Sequence, residues 1–382
     1  MDRFAVVICG GGIAGVEGLL RLRRLAGDRV AVTLLTPEAE LVYRPLAVLE
    51  PFAMGGATRY PIVSIVADTG ARWVRDSVAS VDPAGRRVHT AGGQELSYDA
   101  LLLALGGRER KPNAHVSVFT DRTSERTYHR ILSELDSGMV TSLALAEPAG
   151  PSWPLPLYEL ALLTAKRALD TGKHPEIVVI TPDARPLHSF GDDVGVVVTR
   201  LLREAGITLY TGSRTRVLGP RQLLLEPGGV ELHPDRIVTL PTITGPNVRG
   251  IPGDAIDRFI PVDEHCRVRG TDGHIFAAGD ATDLAIKQGG LAAQQADTAA
   301  AGIAYLAGAA PSPAAMRPMM RGMLLTGGKP LYLTAHLVGG SGWRAKIHEQ
   351  PPWQLDEAVV AEELGPYLAT LEPAVPPPSG IE

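Results

Sequence analysis

Apolar residues recur along this chain in two rhythms. Uninterrupted runs such as Phe4-Ala-Val-Val-Ile-Cys9 and Tyr98-Asp-Ala-Leu-Leu-Leu-Ala-Leu-Gly-Gly107 suit strands buried on both faces, as in a parallel sheet. Stretches with helical spacing lie between such runs. Residues 13–26 read as a helix and residues 29–36 as the strand after it. Short strands follow at 71–74, 77–81, 87–90 and 94–97, with Pro83-Ala-Gly85 and Gly92-Gly93 as turns between them.

From about Lys111 a second series begins, with a strand at 140–145, a helix at 157–169, a helix at 192–205 and a strand at 208–210. Its Glu176-Ile-Val-Val-Ile-Thr-Pro-Asp183 echoes Val30-Ala-Val-Thr-Leu-Leu-Thr-Pro-Glu38, each ending in Thr-Pro-acid, as two copies of one unit would. Residues 274–282 and the alanine-rich helix expected at 291–307 return to the first pattern. After the linker Pro311-Ser-Pro313 come strand-like runs at 322–326 and 332–334, and Cys266 is expected on a strand region as well. The proline-rich residues 373–382 are expected to be disordered.

The two units differ at the joint between their first strand and first helix. In the first, Gly10-Gly-Gly-Ile-Ala-Gly15 fits the G-x-G-x-x-G pattern in its proper strand–helix context. Gly10 allows the tight turn, Gly12 lets backbone approach a pyrophosphate, and Gly15 allows close helix packing. The helix N-terminus offers N–H groups and a positive dipole to phosphate. Where an acid is expected on a ribose about 20 residues later, the strand end reads Thr36-Pro37-Glu38, with the Thr36 hydroxyl and the Glu38 carboxylate both candidates for the ribose. In the second unit the joint reads Glu147-Pro-Ala-Gly-Pro-Ser-Trp-Pro-Leu-Pro156. Proline has no N–H to offer a phosphate.

Composition narrows the classes. The 382 residues are 45% apolar, enough for two or three domains with sizeable cores. A net charge of -5 without a basic run argues against nucleic acid as a partner. No apolar run reaches the length of a membrane span, and the N-terminal run ends in a glycine loop rather than a cleavage site. A cytoplasmic protein is expected. The two cysteines, Cys9 and Cys266, form no metal-spaced cluster, so no metal site is expected.

Taken in order, the glycine loop, Tyr98-Asp-Ala-Leu-Leu-Leu-Ala-Leu-Gly106, Ile275-Phe-Ala-Ala-Gly-Asp280 and Lys287-Gln-Gly-Gly-Leu-Ala-Ala293 resemble the pyridine nucleotide-disulfide oxidoreductase superfamily. The nearest branch looks like sulfide:quinone oxidoreductases, flavocytochrome c sulfide dehydrogenases and type II NADH dehydrogenases. The resemblance implies an α/β fold of two Rossmann-like FAD/NAD(P)-binding domains, the second inserted in the first, plus a small C-terminal domain. The boundaries expected are 1–110 with 251–310 for the FAD domain, 111–250 for the second, 311–372 for the third and 373–382 for the tail. It also implies non-covalent, extended FAD. Residue by residue, it places Gly10, Gly11, Gly12, Ile13, Ala14 and Gly15 at the pyrophosphate, and Thr36 with Pro37 at the adenosine ribose. Val78 falls near adenine. Arg44-Pro45, Gly106, Gly279, Asp280 and Lys287-Gln288-Gly289-Gly290 fall along the ribityl chain and flavin.

Two departures limit what the resemblance carries. The proline joint, with Leu157-Tyr-Glu159, looks like the sulfide-oxidising branch that takes no hydride from NADH. That branch keeps a cysteine in this loop, where this chain has Trp153, so a persulfide route lacks its nucleophile. The expected function is electron transfer through FAD from an unknown small-molecule donor to an acceptor, a quinone among the candidates, without redox cysteines. The candidate catalytic residues are Glu159, as proton relay, and Lys287, beside the flavin. For Glu159 a role in the helix dipole stays equally open, and His188 reads as a surface-loop histidine. Two alternatives stand beside this: an NAD(P)H-dependent reductase and an FAD-bound, non-catalytic interaction protein. Homodimerisation and a peripheral contact at the inner face of a membrane are left open. The acidic stretch at 355–368 weighs against the latter.

Overall fold

The computed structural model describes residues 3–44, 46–120, 124–337, 343–353 and 359–371. Pro45, the proline-rich tail and the start of the acidic stretch at 355–358 lie outside the described residues. The chain opens with β1 (Phe4–Cys9), α1 (Ile13–Ala26) and β2 (Val30–Leu35), followed by β3 (Arg72–Val74) and β4 (Ala100–Leu103). It then builds a second unit from β5 (Ser117–Val118), β6 (Ser142–Ala146), α2 (Leu155–Asp170), β7 (Glu176–Ile180), β8 (Thr208–Tyr210) and β9 (Arg236–Thr239). Returning to the first unit, it adds β10 (Ile275–Ala277) and α3 (Gly289–Leu306). It finishes with a three-stranded sheet of β11 (Met319–Leu324), β12 (Leu331–Leu337) and β13 (Trp343–His348).

Both five-stranded sheets are parallel throughout and have corresponding strand orders, β10-β4-β1-β2-β3 and β5-β9-β6-β7-β8. β1 and β6 hold the equivalent central place. On either side of them the chain continues in opposite directions, which leaves a crevice at their carboxyl ends. This is the expected doubly wound α/β architecture, with the second unit lying in sequence between β4 and β10.

The central strands form where the sequence is apolar without alternation: all four residues of β4 are buried, as are the last four of β1. α1 packs directly against α3 on one face of the first sheet. Ala292, Ala296, Ala299 and Ala300 of α3 are buried, and small side chains let the two helices approach closely. Strand ends are shorter than the apolar runs imply. The strand read over residues 98–107 stops at Leu103, because Gly106 adopts φ +67° and turns the chain away. Residues 274–282 give only three strand residues before a turn in which Gly279 has φ +78°. Cys266 sits in an irregular bend rather than a strand, with φ +61°. α2 starts earlier than expected and takes Pro156 into its first turn, where proline's missing N–H costs no helical hydrogen bond.

Candidate active site

A cleft of about 1010 Å³ opens where the residues after β1, β4 and β10 converge. A smaller one of about 280 Å³ adjoins it, and both are lined by Gly10, Glu38, Leu105 and Arg108. The site is therefore elongated, with the glycine loop at its middle. Gly10 has φ +116°, and a Cβ there would lie 2.1 Å from the Ala104 carbonyl oxygen, so only glycine fits. Gly12, the N-cap of α1, faces open space: a Cβ would meet nothing within 4 Å, and no side chain caps the helix. Its first N–H groups thus turn toward the cleft.

Gly11, Ile13 and Ala14 also line the larger cleft, as do Arg44, Gly106, Gly279 and Asp280. Gly15 lies behind it, where a Cβ would strike the Gly10 carbonyl oxygen at 1.9 Å; its role is packing. Pro37 and Val78 line the smaller cleft. Thr36 requires a correction. It is fully buried, and its hydroxyl donates to the Glu38 carboxylate at 2.7 Å, so Glu38 is the group turned to the cleft and Thr36 orients it.

At the other end stand Lys287, Gln288 and Gly289. Gly290 sits one step behind, against the Gln288 side chain. Lys287 is 5% exposed; its Nζ donates to the Thr282 carbonyl at 2.6 Å and lies 3.6 Å from the centre of the Phe259 ring. Burial pulls its ammonium down to about 8, against the pull of nearby Asp280 and Asp283. Gln288 caps α3, accepting the Leu291 N–H at 3.1 Å. Arg44 reaches the same wall and pairs with buried Glu50 at 3.5 Å.

The second unit closes the cleft. Trp153, Pro156 and Glu159 from the proline joint and α2 face into it. Glu159 is 5% exposed, and burial raises its carboxyl to about 8 although the Leu325 N–H, donating at 3.0 Å, favours the ionised form. His188 is exposed on its short helical turn, as a surface-loop histidine should be. Both cysteines are buried away from the cleft. Burial raises the thiol pKa of Cys9 and pushes that of Cys266 up to about 12, so neither is a thiolate near neutral pH.

Sequence reasoning missed Arg108, Met323, Leu325 and Val359 as lining residues. Arg108 had a signal, because it follows the glycine turn at Gly106. The others had none, since the C-terminal segments meet the cleft only through folding. Glu147 was also missed. It follows β6 as Gly10 follows β1: the Glu147 N–H donates to Ile180 at 2.9 Å and the Gly10 N–H to Leu35 at 2.8 Å. Glu147 is buried, accepts the Tyr158 hydroxyl at 3.0 Å and also bonds to the Thr181 side chain. Burial lifts its carboxyl to about 7.

A glycine-loop cleft at the carboxyl ends of one parallel sheet, closed by the proline joint and helix of a second such unit, defines a dinucleotide-binding protein. The family model for pyridine nucleotide-disulphide oxidoreductases matches residues 4–143. An NADH dehydrogenase-like protein of Mycobacterium tuberculosis is 30% identical over 299 residues, covering 72% of each chain. A sulfide-quinone reductase of Aquifex aeolicus is 24% identical over 300 residues, 73% of this chain and 68% of that one. The solved sulfide:quinone oxidoreductase from Aquifex aeolicus superposes with a TM-score of 0.81 at 19% identity, covering 91% of this chain and 87% of that one. The chain belongs to the pyridine nucleotide-disulphide oxidoreductase family. It is an FAD-dependent oxidoreductase, and its cleft fits that cofactor. The uncapped helix at open Gly12 suits a pyrophosphate, and the two adjoining clefts give the length an extended dinucleotide needs. Among the described residues, no helix is long and apolar enough to cross a membrane.

Proposed function

We propose that this oxidoreductase moves electrons from a small-molecule donor other than NAD(P)H to a quinone-like acceptor, without a thiol intermediate. One observation carries the reading: Glu159, Lys287 and Trp153 converge on the cleft that holds the glycine loop, and both cysteines lie elsewhere. When bound, FAD supplies a two-electron relay. In this reading Gly12 and the α1 N–H groups hold its pyrophosphate, and Glu38 its ribose. Val78 borders the adenine end. Lys287 places positive charge beside the flavin end. Glu159, protonated below about pH 8, delivers its carboxyl proton to an acceptor oxygen and is reloaded from solvent. Trp153, Leu155 and Pro156 offer an apolar wall that suits a planar ring better than an inorganic anion.

The competing reading, NADH as donor, is favoured by the name of the mycobacterial relative. Against it stands the second joint, where Glu147 and Tyr158 fill the place a pyrophosphate would need. The test is anaerobic mixing of the yellow holoenzyme with NADH, NADPH, sulfide and a quinol in turn, while the visible flavin band is followed. Bleaching by quinol or sulfide but neither nicotinamide is expected; fast saturable bleaching by NADH would sink the proposal. In the reverse direction, E159Q should slow reoxidation of the dithionite-reduced enzyme by a soluble quinone about 100-fold, with its FAD content intact.

A further inference from the structure

β11 pairs with β12 along one edge only. Its other edge would leave backbone groups without a strand to meet. Three side chains from two helices take that place. Gln294 of α3 accepts the Met319 N–H at 3.0 Å and donates to the Met319 carbonyl at 2.8 Å. Gln288 donates to the Arg321 carbonyl at 2.6 Å while its oxygen caps α3. Beyond the strand end, the Leu325 N–H reaches the Glu159 carboxylate at 3.0 Å. Met319, Arg321 and Leu325 share the alternation that points backbone groups to one edge. The same edge is thus fastened to the flavin-side helix at its start and holds the candidate proton donor at its end.

We propose that Gln288 and Gln294 are positioning residues for Glu159: they set the register of β11 against α3, and so place the Leu325 N–H on the Glu159 carboxylate. Glutamine suits this task because each side chain both donates and accepts, as a strand backbone does. Gln288 is 7% exposed, and its oxygen and its nitrogen each have a partner. Leu325, Met323 and Gly322 all line the cleft, and Gly322 lies against Trp153, so a slip of β11 also moves that wall. The small C-terminal sheet is then a working part of the active site.

This inference rests on Glu159 acting as the proton donor, so the experiment includes a control for that reading. The rate of quinone reoxidation of reduced holoenzyme is measured against pH for wild type, E159Q, Q294A and Q294E. Lys287 lines the same cleft and titrates in the same range, so every profile is also recorded in a K287M background; there the protein should still lose rate as pH rises through about 8, and E159Q should lack that limb. Q294A should move the limb upward by about one pH unit, because the ionised carboxylate loses a hydrogen bond. Q294E keeps the acceptor for the Met319 N–H and should shift the limb by less. A limb unmoved in Q294A, with only a lower melting temperature, overturns the proposal and leaves the glutamines as structural ties. A wild-type profile that E159Q does not change instead removes the Glu159 reading, and this inference with it.

Discussion

The two strand-to-helix joints of this chain share a backbone frame and differ in what fills it. After β1, Gly10 donates to Leu35 and Thr36 donates to Val74; after β6, Glu147 donates to Ile180 and Thr181 donates to Tyr210. The corresponding hydrogen bonds agree within 0.2 Å, from 2.8 and 3.1 Å at the first joint to 2.9 and 2.9 Å at the second. In the first, three residues suffice, and the last of them, Gly12, leaves open space at an uncapped helix. In the second, residues 147–154 intervene, and a buried acid, a tyrosine and a threonine bond to one another beside the strand ends. The same Rossmann-like frame therefore carries an open joint in one unit and a joint tied by side-chain hydrogen bonds in the other. Function has to be read from the joint and not from the sheet.

The sharpest way to break the contrast is to give the first joint a feature of the second. Gly12 has ordinary φ and open surroundings, so G12E should fold. Its carboxylate would then stand where the pyrophosphate is proposed to lie. FAD affinity should fall roughly 1000-fold, about 4 kcal/mol, with the apoprotein's circular dichroism unchanged. Retention of stoichiometric FAD by G12E would show that the cofactor does not meet this helix. A smaller effect is expected at the flavin end. K287M removes the buried ammonium, and the two-electron potential of the bound flavin should drop by roughly 60 mV at pH 7. The difference should fade above pH 8, where Lys287 itself loses its proton. An equal potential in the variant would place Lys287 away from the flavin.

Much of the frame was legible in the sequence. The bounds of β1 and α1 follow from an apolar run that stops at Cys9 and from Gly10-Gly-Gly12, whose chemistry is local. The Thr-Pro-acid echo marked β2 and β7 as equivalent strands, and the matching sheet orders agree with it. Legibility ended where contacts are distant in the chain. Thr36 and Glu38 both stood as candidates for the ribose; position along a strand could not separate them, but the Thr36 side chain points into the protein and bonds to Glu38, which lines the cleft. The prolines drew notice at the second joint, whereas its buried hydrogen bonds run through Glu147. Its partner Thr181 comes from the next strand, which no local pattern reveals. The glutamine ties to β11 join residues 25 and 33 positions apart and were equally invisible.

The smallest effect tests whether the second joint is as sealed as its geometry indicates. An acid whose carboxyl is raised to about 7 in the fold, against about 4.3 in an unfolded chain, binds its proton more tightly when folded. Its contribution to stability is therefore fully present below about pH 4.3 and is lost as pH rises toward 7. E147Q cannot titrate, yet its amide can still accept from the Tyr158 hydroxyl and donate to Thr181. Relative to wild type, the variant should gain about 2 kcal/mol of stability between pH 5 and pH 8, measured by urea unfolding with bound FAD. Glu159 and other raised acids titrate in both proteins, so the difference between the two curves isolates Glu147. A pH-independent difference would mean that water reaches the Glu147 carboxylate, and a joint open to water has room to admit a ligand. NADH binding would then need to be tested again on the wild-type protein before the closed reading of the second unit could stand.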